Sequence, residues 1–107
     1  MARKLEKSEW SSFLNRVSQG LEPTQAEIEI ASLNLGAQIQ ADSVPLIGIV
    51  YDAKDDIVEV AVAGLDHIIH RPRELYVEEE EGELSSLSVI EDGGARHIIN
   101  LRRAVAL

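Results

Sequence analysis

Apolar residues near the start of the chain recur with the spacing of an α-helix. They occupy positions i, i+3, i+4 and i+7, and they are Trp10, Phe13, Leu14 and Val17. This spacing places one apolar stripe on a single helix face, which a globular protein buries against its core. Ser8 is a favourable N-cap residue, Gly20 suits the C′ position, and Pro23 prevents the helix from continuing. The pattern predicts a helix over about residues 8–19.

The period of the pattern changes to two after Gln25. Apolar residues alternate with glutamates across Ile28–Ile30 and with glutamines across Ala37–Ala41. Such alternation is typical of half-buried strands. Asn34-Leu35-Gly36 is a turn signal between the two runs, and Asp42-Ser43 is expected to interrupt the second one. The two runs therefore predict a β-hairpin.

The rest of the chain continues as short strands separated by turn residues. The predicted strands are Val44–Tyr51, with Pro45 at its start and a bulge at Gly48, then Ile57–Val62, His67–His70, and runs at Leu75–Val77, Leu87–Val89 and Ile99–Leu101. The predicted turns are Asp52–Asp56, Gly64, Gly82 and Asp92-Gly93-Gly94. Because no crossover helices separate the strands, we expect an antiparallel meander over about residues 25–103. The predicted fold class is α+β, with the N-terminal helix packed on a curled antiparallel sheet or small barrel of about six to eight strands.

Length and composition fit one compact unit. The chain has 107 residues, which suits a single domain over residues 1–107. There is no cysteine, which excludes disulfides and thiolate zinc sites. No segment reaches the roughly 18 apolar residues of a membrane span. We expect a cytoplasmic protein that does not contact membranes.

The net charge of −9 is concentrated in one region. Residues 74–92 contain no Lys or Arg, and their acidic members are Glu74, Glu78, Glu79, Glu80, Glu81, Glu83, Glu91 and Asp92. Such a region repels phosphate backbones, and no basic stripe lies elsewhere, so we expect no nucleic-acid partner. The run Glu78–Glu81 is interpreted as a solvated hairpin tip, with a surface for a basic partner as the alternative.

Several short motifs resemble a bacterial family of small single-domain proteins of unknown function. They are the W-x-x-F-L helix of Trp10–Leu14, the stretch Gly36–Ala41 followed by Val44–Ile49, and the closing Asp92-Gly93-Gly94 before Ile99–Arg102. The resemblance spans almost the whole chain. It implies no established activity and therefore supplies no catalytic residues. Gly48–Asp52 followed by Asp55–Ile57 also resembles, more loosely, the first motif of Sm-like RNA-binding barrels, but no second motif follows.

Three histidines are the candidate metal ligands. His67 and His70 are three residues apart, a spacing that points two side chains to opposite faces of a strand. His97 would have to supply a third ligand without any helpful local spacing, whereas zinc sites commonly show tighter patterns. We therefore interpret His67 and His70 as surface or half-buried histidines and predict no metal and no cofactor.

The sequence favours a non-catalytic interaction domain that self-associates, most simply as a homodimer. A meander has edge strands with unpaired backbone groups, and Val105 and Leu107 are apolar residues in a position where a second subunit or the sheet itself would cover them. Together with Glu78–Glu81, they are the predicted interaction residues. A small-ligand or metal-binding β barrel is the alternative interpretation, and a minimal enzyme is a third.

Overall fold

The computed structural model describes residues 2–20, 22–32 and 36–103. It contains a short 3₁₀ turn, Lys7–Glu9, one helix, and strands on both sides of the helix in the chain. The helix is α1 (Trp10–Gln19). The strands are β1 (Ala2–Lys4), β2 (Thr24–Ser32), β3 (Gly36–Asp52), β4 (Ile57–Val62), β5 (Leu65–His70), β6 (Pro72–Glu80), β7 (Glu83–Glu91) and β8 (Arg96–Arg103). The structure confirms the predicted α+β class and the curled antiparallel sheet.

The strands form one antiparallel sheet in the order β1-β6-β7-β8-β2-β3-β4-β5. Two meanders, β2 to β5 and β6 to β8, are joined where β8 pairs with β2, from Thr24↔Arg103 to Ala31↔Arg96. The short strand β1 extends the other end of the sheet by pairing with β6. The sequence pattern therefore predicted most of the strands, whereas β1 and the joining of the two meanders were not predicted.

A one-residue connection forces this sheet to curl. β5 is the edge strand at one end and β6 is second from the other end, yet only Arg71 separates them in the chain. Arg71 has φ 49°, donates its N–H to the carbonyl of Asp56, and accepts a bond from the N–H of Asp92. β5 consequently lies against β7. Among the described strands no pairing joins β5 to β6, so the curled sheet stays open.

The helix begins later than predicted. Glu6 is the last extended residue, and Lys7–Glu9 already form the 3₁₀ turn that leads into α1. An N-cap residue needs an extended backbone, so Ser8 as N-cap was wrong. Gly20 closes the helix in a right-handed conformation (φ −93°) as the C-cap, with its N–H bonded to the carbonyl of Arg16 at 3.0 Å, and not as a left-handed C′ residue.

β3 is one long strand that serves two neighbours. Gly36–Pro45 pair with β2, and Leu46–Asp52 pair with β4. The predicted interruption at Asp42-Ser43 was wrong, because the strand passes through it as a bulge with Ser43 at φ 53°. The predicted bulge near Gly48 is confirmed by a register shift between Leu46 and Gly48.

The core lies between α1 and the inner face of the curled sheet. Trp10 and Phe13 of the predicted stripe are buried with Leu14, while Val17 is only partly covered. The sheet contributes aliphatic residues at alternate positions, including Val58, Val60 and Val62 of β4. Trp10 also packs edge-on against Tyr51 of β3, with ring centroids 5.1 Å apart. The helix is thus fixed onto the C-terminal half of β3.

Candidate functional site

Two histidines from distant parts of the chain meet inside the curled sheet. His67 lies on β5 and His97 on β8, and both are buried, with 9% and 5% of their surface exposed. The Nε2 of His67 is 2.9 Å from the Nδ1 of His97. This hydrogen bond links the edge strand β5 to the strand at the centre of the sheet. The prediction that His67 is a surface or half-buried histidine was wrong, because the curled sheet covers it.

Glu91 continues this contact toward solvent. Its Oε2 lies 2.8 Å from the Nε2 of His97, and about a third of its side chain is exposed. A carboxylate only accepts hydrogen bonds, so His97 donates from Nε2 to Glu91. In the bond between the Nε2 of His67 and the Nδ1 of His97, the tautomers of the two rings set which nitrogen donates. The three side chains form a continuous chain of hydrogen bonds from His67 through His97 to Glu91.

The neutral form of His67 is favoured at this position. Burial lowers the pKa of His67 below its ordinary value, the neighbouring His97 lowers it further, and Glu91 partly offsets both effects. A positive charge on His67 would be poorly solvated at this buried position. The arrangement therefore stabilises β5 against β8 while the His67 ring is neutral.

The predicted metal candidates are not brought together as a ligand set. His70 is exposed at the end of β5, on the face opposite His67, as its spacing predicted. Both ring nitrogens of His97 are occupied by His67 and Glu91. Among the residues of the described ranges, no group of three or more His, Asp or Glu side chains is arranged to hold a metal ion.

Glu91 is the member of this cluster that the sequence analysis missed. The turn signal at Asp92-Gly93-Gly94 was correct, and the N–H of Glu91 bonds to the carbonyl of Ala95 across that hairpin. Given that register, Glu91 and His97 are diagonal neighbours on one face. The hairpin signal could thus have located this contact. Nothing local to the sequence could have added His67.

The acidic residues of the predicted hairpin tip lie on an open groove of about 950 Å³ at one end of the sheet. Glu79, Glu80 and Glu81 line it together with the basic residues Arg16, Arg102 and Arg103, and its apolar lining comes from Phe13, Val17, Leu84 and Leu101. Arg3 pairs with Glu79 at 3.3 Å, and Arg103 pairs with both Glu22 and Glu83. Basic side chains of the same chain therefore partly neutralise the acidic run. Glu78 is exposed on β6 and does not contribute to this lining.

Among the described strands, the longest run of exposed residues belongs to the N-terminal half of β3. We call Gly36–Ala41 the β3 edge segment. It pairs with β2 on one side, while no described strand pairs with it on the other, because β4 joins β3 only from Leu46 onward. Gly36–Gln40 are all exposed, and 54% of the surface of Ile39 is open to solvent. The segment belongs to Ile30–Ala41, the longest stretch of the chain without a charged residue.

The other two predicted interaction residues, Val105 and Leu107, lie outside the described residues. No helix in the described part of the chain is long and apolar enough to cross a membrane.

Similarity to known proteins is consistent with the resemblance noted from the motifs. The model of a family of unknown function, DUF5335, matches residues 1–107. An uncharacterised protein of Aquifex aeolicus (strain VF5) is 33% identical over 109 residues, covering 100% of this chain and 98% of that relative. No solved structure matches this chain.

Proposed function

We propose that this chain, which belongs to the family of unknown function DUF5335, is a non-catalytic interaction domain that works as a homodimer. The single observation that carries the proposal is the β3 edge segment, an exposed and uncharged strand edge with unpaired backbone groups. Edges of this kind readily pair with another strand, and natural proteins usually guard them with charged residues or cover them.

The other edges of the sheet are guarded or covered. β1 is short and carries Arg3 and Lys4, which pair with Glu79 and Glu74 of β6. β5 is drawn against β7 by the curl of the sheet. The C-terminal half of β3 has α1 along its open side, where Ser18 hydrogen-bonds Ile49. An uncovered, charge-free segment in a chain that is 27% charged supports a role in association.

The non-catalytic part of the proposal rests on where the histidines lie. A general base must reach substrate from a cleft. His67 and His97 are buried and hydrogen-bonded to each other, and neither lines the groove beside α1. As part of the same proposal, we assign the protein to the cytoplasm, where a chain without cysteine needs no oxidising conditions to fold.

Light scattering coupled to size-exclusion chromatography tests the proposal. We expect a mass twice that of the 11.8 kDa chain at high micromolar concentration, decreasing on dilution. Because the β3 edge segment is uncharged, a dimer formed through it should not weaken as the salt concentration rises from about 0.1 M to about 1 M. Contacts made by Glu78–Glu81 would instead be screened by salt. A protein that stays monomeric at every concentration would overturn the proposal.

A further inference from the structure

We infer that two copies pair through the β3 edge segment about a twofold axis at Ile39, which would join their sheets into one. This inference rests on the proposed self-association and specifies its geometry. Closed twofold pairing presents the same surface from both copies, so that surface must be complementary to itself.

The sequence of the segment is symmetrical about its centre. Residues 37–41 read Ala-Gln-Ile-Gln-Ala, which is the same in both directions. An antiparallel pair centred on Ile39 places each Ile39 opposite its twin, Gln38 opposite Gln40, and Ala37 opposite Ala41. Directly opposite side chains in an antiparallel pair are in contact distance. Each residue of this pair therefore faces a residue of the same type, and no charged residue faces one of the same charge.

The backbone limits the segment to this same window. Gly36 (φ 66°) and Ser43 (φ 53°) have left-handed conformations and bound this stretch of the strand. Within it, the pairing with β2 shifts register between Ile39 and Ala41. Beyond Ser43 the open side is already occupied, since the carbonyl of Pro45 accepts the N–H of Ala63. A partner strand aligned over Gly36–Ala41 therefore ends before it would meet β4.

The two halves of β3 differ in what occupies their open sides. Each half pairs with one neighbour and leaves one side open. Along the C-terminal half, Ser18 of α1 occupies the open side by bonding both backbone groups of Ile49. No described residue does the same for the N-terminal half. A second copy of the chain provides the hydrogen-bond partners for the backbone groups on the open side of this half.

Cysteine cross-linking tests the geometry, because the chain contains no cysteine of its own. Under mild oxidation, Ile39→Cys should form a covalent dimer, because its twin lies directly opposite at a separation that a disulfide can span. Ile47→Cys is the matched control, since Ile47 is an isoleucine on the same strand and is more exposed, at 65%, but lies outside the window. The Ile47→Cys variant should remain largely monomeric on a gel run without reducing agent.

The register is tested with two further variants. A mixture of Ala37→Cys and Ala41→Cys chains should form the mixed disulfide, whereas each alone should not, because four residues along a strand span about 13 Å. In parallel, Ile39→Lys should shift the protein to monomer by light scattering, and Ile47→Lys should not. Circular dichroism confirms that each variant is folded.

The outcomes distinguish this inference from the proposed self-association on which it rests. A dimer that persists in Ile39→Lys without an Ile39→Cys cross-link would place the interface elsewhere and overturn the inference while the proposed self-association stands. Self-linking by Ala37→Cys would overturn the register centred on Ile39. A wild-type protein that is always monomeric would overturn both.

Discussion

The side-chain oxygen of Ser18 bonds both polar groups of the Ile49 backbone. It donates to the carbonyl oxygen at 2.7 Å and accepts the N–H at 3.0 Å. A single hydroxyl on α1 thereby replaces the strand that would otherwise pair with this part of β3. Because Ile49 itself is fully buried, its backbone groups depend on a partner inside the protein.

Ser18→Ala should therefore destabilise the fold by about 1–3 kcal/mol, the cost of leaving buried polar groups unpaired. Ser12→Ala is the control, since Ser12 is exposed and bonds only the carbonyl of Glu9 within its own turn. Urea unfolding of both variants measures the difference. Equal free energies of unfolding for the two would show that water replaces Ser18 at Ile49.

Trp10 and Phe13 should fix the helix to the sheet. Both are buried, and Trp10 adds a hydrogen bond from Nε1 to the carbonyl of Leu5 at 3.2 Å. Truncating such residues typically costs about 3–5 kcal/mol, a large share of the roughly 5–15 kcal/mol that stabilises a domain. Thermal melts of Trp10→Ala and Phe13→Ala should show large decreases, with the exposed Ile47→Ala as control. Shifts of a degree or two in both would contradict this role for the helix.

The stability of the fold should fall as the medium becomes mildly acidic. The pKa of His67 is lowered in the folded protein, so below the ordinary histidine pKa of about 6.5 the unfolded chain binds more protons. The stabilisation is complete above that pH and is lost as pH decreases toward the folded pKa, by about 1.4 kcal/mol for each unit by which the pKa is lowered. Denaturant unfolding between pH 8 and pH 5 measures the slope.

His67→Gln should flatten this pH dependence, because glutamine can donate to His97 but does not titrate. His70→Gln is the matched control, since His70 lies on the same strand but is exposed. If the two variants show the same slope as the wild type, the acid sensitivity arises from other groups.

Stability should not depend on zinc. His97 already uses both ring nitrogens in hydrogen bonds, and His70 points away from it. Binding a cation would require breaking these bonds, so a chelator should leave the melting temperature unchanged. Stoichiometric zinc in untagged protein, or a clear loss of stability in chelator, would show that the histidines rearrange around a metal.

Local patterns determined most of the elements. The period of two identified most of the strands from β2 to β8, although it divided β3 at Asp42-Ser43. Gly82 and Asp92-Gly93-Gly94 marked hairpin turns that the structure confirms. These signals are local, because side chains alternate across any strand and positive φ favours glycine wherever it occurs. Ser8 was misplaced for a related reason. Its capping preference is real, but Ser8 lies inside the 3₁₀ turn Lys7–Glu9, which already begins the helical backbone after Glu6.

Tertiary structure alone decided which strands meet. The pairing of β8 with β2, and that of β1 with β6, joins segments far apart in the chain, and the curl enforced at Arg71 then brings His67 to His97. Short-range periodicity in the sequence does not indicate such long-range contacts. The same limit applies to the β3 edge segment: the sequence contained its symmetrical, uncharged residues, but only the lengths of β3 and β4 left that edge open.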